Sequence, residues 1–135
     1  MLVVIQPTGL HPLPHTRAEL RKIEEHVHAD FLIKYGTREA PASIKSILLD
    51  MPAASIVHLA CHGQQSLNPL DSRLILGDGE LKVTQLMELS LQKASLVFLS
   101  ACETAMGDAQ LPDEVLHIAT ALLFVGFRGA IGTMW

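Results

Sequence analysis

Two short runs, Ile56-Val57-His58-Leu59-Ala60-Cys61 and Leu96-Val97-Phe98-Leu99, constrain this chain more than any other feature. Neither alternates apolar with polar residues, so neither suits a strand with one wet face. Both have the length and composition of strands buried on two sides, as in a parallel sheet covered by helices. Each leads into residues suited to a loop and hands on to a reactive side chain. The first is followed by His62 and Gly63, the second by Ser100-Ala101-Cys102-Glu103-Thr104. In an open parallel sheet the reactive groups sit beyond the carboxyl ends of the strands, and neighbouring strands run about 4.8 Å apart. The two runs therefore predict a single cleft faced by His62 and Cys102.

The remaining elements fall around these two. Residues 2–6 read as a buried strand, and residues 7–14 as a loop by their proline and glycine content. Thr16 with Glu19 three positions on forms a capping box, and Leu20, Ile23 and Val27 recur at helical spacing. Residues 31–35 read as a strand ended by Gly36, and Pro41 opens a helix whose Ile44, Ile47 and Leu48 share a face. After the 56–61 strand, residues 63–72 read as a loop. Residues 73–76 and 80–83 flank Gly77-Asp78-Gly79 as a small peripheral hairpin. Thr84 caps a short helix through residue 89, and the next strand spans residues 95–100. Pro112-Asp113-Glu114 starts a helix that runs to Gly126, and residues 128–134 form the last strand. This alternation predicts an α/β fold in three layers, with a mostly parallel sheet, helices on both faces and right-handed crossovers.

Composition bounds the partners. A chain of 135 residues that is 49% hydrophobic supports one core, so residues 1–135 read as a single domain. A net charge of −4 without a basic run argues against nucleic acid and against an electrostatic membrane anchor. No apolar stretch approaches the roughly 18 residues of a membrane span, and the first residues lack a signal-type core. Two cysteines, Cys61 and Cys102, are too few for a disulfide framework, which places the expected compartment in the cytoplasm.

A thiol acts as a nucleophile only as its thiolate, so Cys102 needs a base beside it, and His62 is of the right type. Gly63, lacking a Cβ, lets a substrate carbonyl come close to the backbone. Its N–H together with that of Cys102 is suited to holding an oxyanion. Taken singly, Cys102 reads as a small buried hydrophobe and His62 as a core histidine. Their coincidence at two strand ends favours the catalytic reading. Asp71, Glu103 and Asp108 lie near the predicted cleft and would line a pocket for a basic substrate residue, although solvated loop acids are the commoner case. Asp113 and Glu114 answer the helix dipole. His58 reads as a core histidine bonded to backbone and Cys61 as filler. An extended strand points His58 and Cys61 to opposite faces, so they do not form a metal site. Gly77-Asp78-Gly79 lacks the ending of a phosphate loop and precedes no helix, and no cofactor motif is expected.

At these residues the chain resembles the CHAT domain, a caspase-like module named for its association with tetratricopeptide (TPR) repeats. The strings that carry the likeness are the run from Ile56 through Cys61-His62-Gly63 and the run from Leu96 through Ser100-Ala101-Cys102-Glu103-Thr104-Ala105. They are joined by Leu111-Pro112-Asp113-Glu114 and by the stretch from Leu122-Leu123-Phe124 to Gly132-Thr133-Met134-Trp135, in the family's order. The resemblance implies a caspase-like fold, His62 and Cys102 as the dyad of a cysteine peptidase, protein or peptide substrates, and a TPR-type or other sensor partner. Caspases carry Gln-Ala-Cys with the histidine about 50 residues upstream. Here the string is Ser-Ala-Cys, with the histidine forty positions before it. Members of the family typically continue past the Thr-Met-Trp string, so the expectation is an incomplete domain. A non-catalytic interaction module derived from such a peptidase is the alternative.

Overall fold

The computed structural model describes residues 1–9, 12–64, 66, 69–100 and 115–132. Five strands, β1 (Leu2–Ile5), β2 (Ile33–Tyr35), β3 (Ile56–Ala60), β7 (Leu96–Ser100) and β8 (Gly129–Gly132), form one sheet in the order β2-β1-β3-β7-β8. Every pairing in it is parallel. The chain thus moves outward from β1 to β2, returns past β1 to β3, and continues to β8. Three further strands, β4 (His62–Gln64), β5 (Arg73–Leu76) and β6 (Gly79–Lys82), make a separate antiparallel sheet in the order β4-β5-β6. The helices are α1 (Thr16–Glu24), α2 (Ile44–Asp50), α3 (Val83–Met87) and α4 (Val115–Val125). The architecture is α/β, as expected from the sequence.

Period-two alternation divides the parallel strands between two apolar clusters. Leu2, Val4, Val57, Leu59, Val97 and Leu99 meet Ile47 and Met51 from the α2 region, Leu86 of α3, and Ile118 and Leu122 of α4. Val3, Ile5 and Ala60 on the opposite face meet Leu20 of α1, with Ile23 packed alongside. The small sheet joins the first cluster, because Leu74, Leu76 and Leu81 all point into it and are buried. The hairpin expected to be peripheral is therefore part of the main core, and His62–Gln64 supplies it with a third strand. Asp78 in its two-residue turn ties it down further, since both carboxylate oxygens accept from the Ile44 N–H at the start of α2, at 3.1 Å.

Several local readings are corrected by long-range contacts. Residue 61 is a bend and residues 62–64 pair with β5, so β3 ends at Ala60 and the expected loop at residues 63–72 begins later. Thr16 does not cap α1; it is the first helical residue, its hydroxyl donates to the Leu13 carbonyl at 2.7 Å, and Glu19 is used elsewhere. Ser43, not Pro41, opens α2, its side chain accepting from the Ser46 N–H. Lys82, not Thr84, is the N-cap of α3, and its N–H donates to the Gln85 side chain at 2.9 Å. A short 3₁₀ turn, Ala29–Phe31, takes the first residue of the expected second strand. At the other end of the chain α4 closes as expected at Gly126, whose φ of 125° lets the Gly126 N–H reach the Leu123 carbonyl and the Phe127 N–H reach the Leu122 carbonyl. Pro112, Asp113 and Glu114, the expected helix start, lie outside the described residues.

Candidate active site

The register of β3 and β7 brings the two diagnostic runs together. Ile56 pairs with Leu96, and the match continues to Ala60 opposite Ser100. Both strands are parallel, so their carboxyl ends lie side by side. His62 and Cys102 each follow this last pair by two positions in sequence. Cys61, fully buried, turns the chain out of the large sheet, and His62 then begins β4 opposite Ile75. His62 and Gly63 are both half-buried, so the imidazole is held at the edge of the core and not sealed within it. Asp71 is exposed in the 3₁₀ turn Pro69–Asp71 that precedes β5. Cys102, Glu103 and Asp108 lie outside the described residues.

A polar constellation that sequence reasoning missed sits four residues upstream of His62. The His58 side chain is only 8% exposed, yet it is bonded not to backbone, as expected, but to the Glu19 carboxylate of α1 at 3.1 Å. A carboxylate only accepts, so His58 Nε2 carries the proton and donates. Its ring stacks on Phe98 of β7, with centroids 5.2 Å apart and planes at 17°. Burial pushes the His58 pKa below its ordinary 6.5, while the charge and hydrogen bond of Glu19 oppose that fall without cancelling it. Glu19, which has the spacing of a capping-box residue, instead bonds a partner 39 positions away in sequence. The available signal was the strand parity that places His58 on the α1 side of the sheet with Val3 and Ile5.

Beside this pair the sheet is open. A depression of about 910 Å³ lies over β3 and β7, walled by Ile56, Leu96, Phe98 and Ser100 and bordered by Glu19 and Lys22 of α1. Ile56 there is 38% exposed, and Ile131 on β8 is 46% exposed. Among the described residues no helix is long and apolar enough to cross a membrane.

A parallel sheet in this strand order, with a histidine following one central strand and a cysteine following its neighbour, defines a class that comparison with known families resolves. The chain belongs to the CHAT domain family, a caspase-like peptidase family, which matches it over residues 2–135. Among curated proteins, none matches the chain closely enough to lend it a function.

Proposed function

We propose that the protein is a cysteine endopeptidase in which Cys102 is the nucleophile and His62 its base. The observation that carries this reading is the pairing of Ala60 with Ser100, which sets the two strand ends leading to these residues next to each other. In the reaction, His62 takes the Cys102 thiol proton and the thiolate attacks the peptide carbonyl. The tetrahedral oxyanion is held by the backbone N–H groups of Gly63 and Cys102. His62 then gives the proton to the leaving amine, and a water molecule, deprotonated by His62, hydrolyses the thioester to release the acid and restore the thiol. Asp71, together with Glu103 and Asp108, supplies negative charge suited to a basic side chain of a protein or peptide substrate. In this reading the protein acts in the cytoplasm beside a TPR-type or other sensor protein.

A peptide carrying a thiol-reactive electrophile tests the reading. Labelling is expected at Cys102 in the folded protein and is lost with His62→Ala, whereas equal labelling of the urea-unfolded chain would refute an activated thiol. The open apolar surface around Ile56, Phe98 and Ile131 favours a second reading, a binding module without catalysis. That reading predicts that Cys102→Ala retains function in cells while Phe98→Ser abolishes it.

A further inference from the structure

A second site lies at the carboxyl ends of β1 and β2, one strand over from the end of β3 that leads to His62. Two adjoining cavities of about 540 and 360 Å³ share Ile5, Pro7, Gly36 and Thr37 as walls. Such volumes at the carboxyl edge of a parallel sheet suit a small ligand. The outer cavity is bordered by Arg17, Arg21 and Arg38, all exposed, and among the described residues no acidic side chain lines it. In a chain with ten lysines and arginines and a net charge of −4, this is a local concentration of positive charge.

Fold stability does not explain it. Arg17 stands at the second position of α1, where a cation opposes the helix dipole, and Arg21 is one turn further along, close enough to repel it. Arg38 is held at the tip of a tight turn, where the Gly36 and Thr37 N–H groups donate to the Ala40 carbonyl and the Ala40 N–H donates to the Thr37 hydroxyl. That turn crosses β1 so closely that a Cβ on Gly36 would lie 1.7 Å from the Ile5 carbonyl oxygen. The arginine is thus delivered by backbone that admits only glycine.

The inner cavity carries the independent observation. Gln6 is 5% exposed and lines it, and its Oε1 is buried without a hydrogen-bond partner among the described residues. Buried acceptors of this kind are rare in folded proteins and call for a donor. Thr8, Ser43 and Asp78 line the same cavity, so its chemistry favours a hydroxylated body, while the mouth favours an anion. We propose that this is a binding site for a sugar phosphate, with the phosphate held by the three arginines and a sugar hydroxyl donating to Gln6.

Calorimetric titration of the 135-residue chain with ribose 5-phosphate, inorganic phosphate and ribose tests the proposal. Ribose 5-phosphate is expected to bind about tenfold more tightly than phosphate, and ribose more weakly than either. The double variant Arg17→Ser/Arg21→Ser, with a melting temperature no lower than that of the wild type, is expected to weaken ribose 5-phosphate about tenfold. Gln6→Met is expected to bring ribose 5-phosphate down to the affinity of phosphate and to leave phosphate itself unaltered. The proposal is overturned by any of three results: no ribose 5-phosphate binding up to about 10 mM, equal affinity for phosphate and ribose 5-phosphate, or wild-type affinity in the arginine double variant.

Discussion

The two faces of the parallel sheet are covered unequally. On one, α2, α3, α4 and the small antiparallel sheet seal Leu2, Val4, Val57, Leu59, Val97 and Leu99. On the other, among the described residues, α1 covers β1 and part of β3, and beyond it Ile56 and Ile131 are exposed. The sealed face is an apolar core, with polarity at its border, where the Tyr35 hydroxyl donates to Asp50 of α2. The thin face admits a hydrogen-bonded pair, His58 and Glu19, at the border of its cover. The contrast shows where this fold tolerates polarity, namely at the margin of a layer, where one partner keeps contact with water. Glu19 is 33% exposed in its side chain, whereas His58 is 8% exposed.

Truncations on the two faces should break this contrast most visibly. Leu59→Ala on the sealed face is expected to cost about 3 kcal/mol in urea unfolding, while Phe98→Ala on the thin face costs about half as much, because its cavity opens to solvent. Equal losses would mean that both faces are sealed in solution. Glu19→Ala leaves the buried His58 N–H without its acceptor and is expected to cost about 1.5 kcal/mol, with an accompanying fall in the His58 pKa measured by NMR titration. Asp78→Ala, which removes the acceptor that joins the small sheet to α2, is expected to cost about 0.7 kcal/mol.

The smallest effect concerns pH. Because the folded His58 pKa lies below 6.5, the unfolded chain binds a proton there that the folded chain refuses. The stability from neutral His58 is fully present above pH 6.5 and is lost as pH falls toward the lowered folded value. His58→Gln should flatten the stability profile over that window, and an unchanged profile would show that His58 is not the group responsible.

The legible parts of the fold were those determined by local pattern. The apolar runs at residues 2–5, 56–60 and 96–100 form parallel strands as their composition predicts, and the stop at Gly126 follows from the positive-φ turn that it makes. The parts that were not legible depend on partners distant in sequence. Nothing near Cys61 indicates that the chain leaves one sheet there and joins another, since that is decided by the pairing of His62 with Ile75. Thr16 and Glu19 satisfy the spacing of a capping box, but a buried histidine 39 positions on competes for the carboxylate and wins. As for the candidate site, His62 was legible as a strand-end residue, while its membership of the small sheet was not.

That membership has a mechanical consequence. The backbone bearing the imidazole is hydrogen-bonded into the antiparallel sheet, whereas Ala60, two residues earlier, belongs to the parallel one. Cys61 is the joint between the two sheets. Because Asp78 fastens that lesser sheet to α2, the footing of the imidazole is set by α2 as well as by β3.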